Sequence, residues 1–434
     1  MSRPAMAWHL YRWRCHMDQL TQREPHAAQD NTSAASVPPV ERCDVLVAGA
    51  GVGGLLIASA LAPHCSVLLV EQQPIVPRAK YWLTDEAAAR AAPELASAVE
   101  RRSSTLDYTA YDGLTARVPG EYCLWNTDVL IDMLLAELAA SDVRVRTGQR
   151  VYSVYDDANG VTVRAGASRI SARLVVDCMG IGSPIVAAKG TVAIDGYYFV
   201  HGVEVPLVGD PSPIGLENVV MGDKLGYFEL FPTARGTAAA ALIVPSRTWR
   251  TDHPIKADLN FILRESHHAH DIGPGPFTGS YFGIIPVGRL RANALDRIVF
   301  FGESGQANPA ASATTLSRLL RTRDATADAI LAALRSGNVS ADQLQRSLPD
   351  SMSRLHRAFH LELFRSILDY SSDDFRRLVK ELASYPPEIV NGLIFADLDF
   401  RPRLTAGLLL DAIRRPRGVL GRHLLAATRR YVSR

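Results

Sequence analysis

The residues best placed for chemistry are three glycines, Gly49, Gly51 and Gly54, spaced GxGxxG with Ala50, Val52 and Gly53 between them. They follow an apolar run, Val45 to Val47, and precede a second, Leu55 to Leu61, with apolar residues at helical spacing. A strand that ends in a tight turn needs the first glycine. A backbone that approaches a pyrophosphate needs the second, and a helix packed closely on its sheet needs the third. The helix N-terminus then turns free N–H groups and partial positive charge toward the phosphates. Ser66–Val70 reads as the next strand, closed by Glu71 with Gln72 beside it. An acid about 20 residues beyond such a turn is where a ribose hydroxyl is held. The chemistry implied is dinucleotide recognition; the alternative is a glycine-rich structural turn.

The glycines alone do not choose between NAD and FAD. The choice comes from IVFFGESGQANPAASATT (Ile298–Thr315), a second strand and loop that leads into a helix reaching about Arg335. A second helix N-terminus brought back to the first can hold the far end of a long cofactor, which favours FAD. Gly302, Gly305 and Pro309 shape that loop. Glu303 is the expected acceptor for a ribityl hydroxyl, or else a surface glutamate in a plain loop.

For catalysis the best candidate is Glu229, set among aromatics in GYFELFP. A carboxyl in apolar surroundings has a raised pKa and can donate a proton; on an outer sheet face it is merely solvated. Glu204 and Glu217 are weaker candidates. Tyr197, Tyr198, Phe199, Tyr227, Phe228 and Phe231 offer an aromatic wall for an apolar substrate, or ordinary sheet packing. His267, His268, His270 and Asp271 invite a metal, but HHAHDIGPGP has no helical His pair and ends in turn residues, so a polar loop is expected. Cys178 reads as a small buried filler.

The elements that must position these groups follow from pattern. Residues 85–102 are rich in Ala and Glu and read as helical, and Asp128–Leu138 as an amphipathic helix capped near Thr127. Val143–Arg146, Val151–Asp156, Val161–Ala165 and Leu174–Val176 are strands, and Tyr197–Val244 a series of short antiparallel strands. After Ser340 the chain is helical and increasingly basic. The formal net charge is +2 across 434 residues, so no global field argues for nucleic acid. Five scattered cysteines without a CxxC pair fit a reducing cytoplasm and give no disulfide framework or zinc site. No run of about 18 apolar residues is present to span a membrane. Residues 1–40 read as a disordered leader, polar over 18–40, in which Met17 is a second candidate start. Residues 401–434 interleave Arg with Leu408, Leu409, Leu410, Ile413, Leu420, Leu424 and Leu425. Such a segment lies on an anionic membrane or packs on the body with a solvated basic face.

Four segments resemble the lycopene cyclase family, within the larger group of geranylgeranyl reductases and flavin monooxygenases. They are DVLVAGAGVGG, VVDCMGIGSPIV with Asp177 and Gly180, GYYFVHGVEV, and GIIPVGRL followed by IVFFGESGQANPAASATT, with Pro286, Gly288, Gly302, Gly305 and Pro309 in place. They span residues 43–335. The resemblance implies an α/β fold: a Rossmann-like FAD-binding domain (41–80, 120–190, 280–335), an inserted antiparallel β substrate lobe (81–119, 191–279) and a helical C-terminal cap (336–434). It implies FAD as cofactor and adds Asp177 and Gly180 to the cofactor residues. Three positions depart from the pattern. Ala241 and Leu242 stand where the cyclases carry an acidic pair, Ser312 replaces a loop glycine, and Met179 replaces an Asp of the NADPH-using hydroxylases. The leading expectation is a FAD-dependent oxidoreductase, monooxygenase or reductase in type, acting on a large apolar, polyene- or isoprenoid-like molecule. It would take electrons from NAD(P)H or another donor and touch the membrane peripherally if at all. A lycopene-cyclase-like non-redox cyclase or isomerase is the alternative, and a non-catalytic flavin- or lipid-binding homologue a third.

Overall fold

The computed structural model describes residues 40–76, 80–157, 160–209, 214–222, 224–249, 254–350, 352–395, 410 and 418–432. The leader lies, save for Val40, outside them, as do Leu408, Leu409 and Ile413 of the tail.

One sheet runs Ala294–Leu295, Ile298–Phe300, Ser168–Asp177, Glu41–Ala48, Val67–Val70 and Arg144–Arg146. From Ile298–Phe300 to Arg144–Arg146 every pairing is parallel. The reason is visible in the sequence: VLVA and VLLV are apolar without alternation, as strands covered on both faces must be. Helix Val52–Leu61 covers one face and buries Leu55, Leu56, Ile57 and Leu61 against helices Thr127–Ala139 and Thr315–Ser336. Each such side chain contributes about 1.5–3 kcal/mol. A hairpin, Val151–Asp157 with Gly160–Ala165, extends the sheet beside Ser168–Asp177.

The second sheet runs Thr278–Leu290, Val192–Pro206, Thr237–Ser246, Lys224–Pro232, Ile214–Met221, Val99–Thr109, Thr115–Asn126 and Tyr81–Asp85. All its pairings are antiparallel except Ile214–Met221 with Val99–Thr109. One face, with Phe199, Phe228, Leu230, Ala240 and Leu242, packs on helix Ile255–Glu265. The other is roofed by helices Arg354–Ile367, Ser372–Leu382, Pro387–Phe395 and Val419–Val432.

Three expectations need correction. Residues 85–102 are not one helix: Glu86–Arg90 is helical, Pro93 interrupts it, and Val99 begins a strand. There Glu100 and Arg102 form ion pairs with Arg235 and Glu86 that the composition did not disclose. The cap expected near Thr127 is Asn126, whose Oδ1 accepts from the N–H groups of Asp128 and Val129 at 3.1 and 3.2 Å, as the sequence leads one to expect. The domain seams at 120 and 280 fall inside Thr115–Asn126 and Thr278–Leu290, both of which pair within the second sheet. The strands of the substrate lobe are long, Val192–Pro206 spanning 15 residues, because β-bulges near Gly196 and Gly202 absorb its glycines without ending it.

Candidate functional site

Two glycine turns meet at the end of the parallel sheet. Gly49 has φ +100°, and a Cβ there would lie 2.6 Å from the Cys178 carbonyl oxygen. A Cβ on Gly54 would lie 1.8 Å from the Gly49 oxygen, so the helix can approach the strand only without a side chain. Gly51 differs: a Cβ there meets nothing within 4 Å. Gly302, at φ +76°, is equally open, and the Cβ direction of Gly53 meets its Cα at 3.7 Å. Two adjacent turns therefore leave bare backbone facing open space, at the N-terminus of a helix whose first N–H groups have no intrahelical partner. That arrangement fits a phosphate-linked dinucleotide. Ala50 and Val52 are buried and secure the turn from beneath.

The acids around these turns differ in role. Glu71 accepts from the Ala50 N–H at 2.8 Å and from the Gln73 N–H at 3.0 Å, so it holds the first turn in shape. Gln72 is exposed in the bend beyond it. Asp177 is wholly buried. It accepts from the Ser183 and Ser304 hydroxyls and the Met179 N–H, and burial lifts its pKa to about 6. With the Gly180 N–H donating to Ser304, Asp177 clamps the two turns together, its carboxyl bonded to protein donors from both. Gly180 makes room for Glu303, whose Oε2 would be 2.9 Å from a Cβ there. Burial raises the Glu303 pKa, opposed by the nearby Lys80 charge. Gly305 folds tightly against the Phe300 oxygen, and the Pro309 oxygen accepts the Ala313 N–H at 2.8 Å. Beyond it, Ser312 and Thr314 both donate to the Ile394 oxygen, which fastens this loop to the helical cap.

Glu303 and residues 311–316 open into a cavity of about 500 Å³ between the second sheet and the cap. Strand alternation divides the expected aromatic wall. Tyr198, Tyr227 and Phe231 line the cavity, whereas Phe199 and Phe228 belong to the core under helix Ile255–Glu265, and Tyr197 packs beside that core. Glu229 is on the cavity side and half-buried. Desolvation lifts its pKa to about 8, so at neutral pH it holds a proton. Its neighbour across the ladder is Ala241.

The other candidates are engaged elsewhere. Glu204 accepts from Thr237 at 2.6 Å and pairs with Arg235 at 3.2 Å. Glu217 bonds His267 at 2.9 Å, and His268 faces Asp271 at 3.4 Å. Among the described residues no group of three His, Cys, Asp or Glu is arranged to hold a metal. Cys178 is packed in the turn, its thiol pKa raised by burial. Within the tail, Leu420 and Leu424 are buried in the cap core and Leu420 lines the cavity, so these two do not face a membrane; Leu410 is exposed. No helix among the described residues is long and apolar enough to cross a bilayer.

Sequence reasoning missed Lys80, Tyr281 and His360, all on the cavity wall. His360 Nδ1 accepts the Ala311 N–H at 3.3 Å and its Nε2 lies 2.8 Å from the Leu393 oxygen, joining loop to cap. Alternation assigns a strand residue to a face; only the cross-strand register, which no local pattern discloses, says what stands beside it.

Comparison with known proteins agrees with this geometry. The family model described as lycopene cyclase protein matches residues 44–224. No curated protein matches the chain. Among solved structures, a geranylgeranyl bacteriochlorophyll reductase-like protein from Thermoplasma acidophilum superposes with a TM-score of 0.65 at 14% identity, covering 85% of this chain and 99% of that one. A probable FAD-dependent monooxygenase from Pseudomonas aeruginosa gives 0.57 at 21% identity, over 79% and 100% of the two chains. The halogenase PltM, solved in complex with FAD, gives 0.58 at 13%, over 90% and 96%. The chain is thus similar to the lycopene cyclase family over residues 44–224, and its fold is that of the FAD-dependent reductases and monooxygenases.

Proposed function

We propose that the chain is a FAD-dependent oxidoreductase, of reductase or monooxygenase type, acting on a large apolar molecule of polyene or isoprenoid character. The observation that carries this reading is the continuity of one space. The cavity begins at Glu303 and the loop that would face the reactive end of the cofactor, and it ends on the apolar inner face of the second sheet. Gly51 and Gly302 would receive the pyrophosphate and its flanking sugars, Glu71 the adenosine ribose and Glu303 a ribityl hydroxyl. Bound flavin supplies hydride-transfer or oxygen chemistry. The protein's part is to bury the substrate under the cap, exclude water and orient it beside the 311–316 loop. The test is anaerobic reduction of the purified yellow protein, by NAD(P)H or dithionite, followed by addition of candidate polyenes, without oxygen for a reductase and with oxygen for a monooxygenase, with mass detection. Substrate-dependent reoxidation of the flavin, with a product changed in mass, is expected. A product of unchanged mass with no net redox change overturns it.

A second reading, cyclisation or isomerisation without net redox change, is favoured by one observation. Glu229 is protonated at neutral pH and is the cross-strand neighbour of Ala241, where the resembling cyclases carry their acids. A carboxyl one strand over has a proton to give to an alkene. Glu229→Gln keeps shape and hydrogen bonding but removes that proton; a fall in turnover of about 10²-fold or more at unchanged flavin content is the mark of this reading.

A further inference from the structure

We propose that Tyr281 and Glu229 form a hydrogen-bonding subsite on the cavity floor that holds the hydroxyl or carbonyl oxygen of an otherwise apolar ligand. The inference rests on the reading of this space as a substrate chamber. Six strands bring one row of residues side by side: Tyr281, Gly202, Ala241, Glu229, Leu216 and Tyr108. Gly202, Ala241 and Leu216 in that row are apolar or bare, and the Tyr108 phenol stands beyond Leu216. A Cβ on Gly202 would lie 2.3 Å from Tyr281 Cζ and 2.4 Å from its hydroxyl oxygen. The tyrosine ring therefore lies flat across the Gly202 backbone instead of standing into the cavity. Ala241 then contributes only a methyl group between the phenol and the Glu229 carboxyl. The two polar groups face one gap, in a chamber whose other walls are largely aliphatic and aromatic.

The electrostatics agree with the geometry. Burial chiefly, and the proximity of Glu229 second, push the Tyr281 hydroxyl pKa up, so the phenol stays neutral. Glu229 carries its proton at neutral pH. Among the described residues no side chain forms a hydrogen bond or ion pair with the Glu229 carboxyl, and desolvation alone sets its pKa. Two neutral O–H groups, each donor and acceptor, suit an oxygen that both accepts and donates. A ligand without such an oxygen leaves both groups unsatisfied under the cap, which is how a cavity rejects a pure hydrocarbon.

Undecan-1-ol and its isomer methyl decyl ether have the same formula, and only the alcohol can donate. Their binding to the full-length protein is compared by calorimetry, with flavin content recorded for each preparation. The wild type is expected to favour the alcohol by about tenfold, the worth of one additional hydrogen bond. Tyr281→Phe and Glu229→Leu should each reduce the preference, and the double variant should remove it. Gly202→Val, which leaves both groups but lifts the ring off the floor, should reduce it as well. Equal affinity of the two isomers for the wild type, no binding of either, or a preference that survives in the double variant overturns the subsite. Should the double variant fail to fold, the wild-type comparison and Tyr281→Phe decide. A wild-type protein that shows the preference but carries no flavin defeats the oxidoreductase reading alone, so the two failures are distinguishable.

Discussion

The two sheets carry two kinds of binding surface. At the end of the parallel sheet the surface is backbone: bare Gly51 and Gly302, exposed N–H groups at a helix start, and acids that hold turns in shape. On the inner face of the antiparallel sheet it is side chains drawn from strands far apart in sequence, from Tyr108 to Tyr281. A backbone surface joined to a side-chain chamber lets one architecture serve different substrates.

The largest expected effect tests whether the backbone surface is a cofactor site at all. Gly51→Trp fills space that no protein atom occupies, so the flavin should be lost while the apoprotein keeps its stability to within about 0.5 kcal/mol, as for an exposed position. Gly54→Ala is the contrasting change. Its Cβ would lie 1.8 Å from the Gly49 oxygen, so fold and flavin should fall together. Absorption spectra and thermal melts read both. A Gly51→Trp protein that remains fully yellow means the open glycines do not face the pyrophosphate.

The next effect concerns the roof of the chamber. Ending the chain after Phe400 removes Leu420 and Leu424, both buried in the cap, and the N–H groups of Val419 and Leu420 that donate to Glu381. Each lost leucine costs about 1.5–3 kcal/mol, and a domain has only about 5–15 in total. The truncated chain should therefore melt earlier and aggregate or bind apolar dyes. A truncated protein with unchanged melting that no longer pellets with anionic liposomes would instead make the tail a membrane anchor.

The same contrast explains what the sequence discloses. GxGxxG and Glu71 lie close together in the chain, and the physics that shapes them is local, so the turn, the helix start and the acid at the end of the second strand are readable in order. Asp177 belongs to the same region, yet its role depends on Ser304, which only the fold brings near. In the antiparallel sheet, alternation separates Tyr227 and Glu229 from Phe228, but not which of them meets Ala241 or that Tyr281 lies across Gly202. Those facts depend on register and bulges, and a one-residue slip would reverse every face. The Val99–Thr109 strand is hidden for a related reason: its charged residues Glu100 and Arg102 find partners in a distant turn and a neighbouring helix, Arg235 and Glu86, so composition alone resembles a solvated helix.

Protonation of Glu229 gives an effect with a definite sign. In the unfolded chain this carboxyl titrates at about 4.3; in the folded protein it titrates at about 8. Between these values the native state holds a proton that the unfolded state has released, so stability falls as pH rises through the window and levels off above it. Glu229→Gln lacks this titration. Urea unfolding at a series of pH values should show the variant gaining on the wild type from about pH 5 to about pH 8. Parallel curves would mean that water reaches the carboxyl freely and that the chamber floor is not dry.

The smallest effect lies where the two surfaces join. Ala313 sits in the loop between Pro309 and helix Thr315–Ser336 with φ +55°, a conformation that an alanine adopts at a cost. The neighbouring Ser312 and Thr314 hydroxyls, both bonded to the Ile394 oxygen, hold it there. The left-handed conformation costs a residue with a Cβ about 1–2 kcal/mol, whereas glycine there loses about 0.5–1 kcal/mol of backbone entropy on folding. Ala313→Gly should thus be neutral or stabilising by up to about 1 kcal/mol. Gly302→Ala, at φ +76° on the other turn, should destabilise by a similar amount although no atom obstructs its Cβ. Opposite signs from the two changes would show that backbone conformation governs this junction. If Ala313→Gly destabilises by more than about 1 kcal/mol, the Ala313 methyl is packing against the chamber, and the junction belongs to the side-chain surface instead.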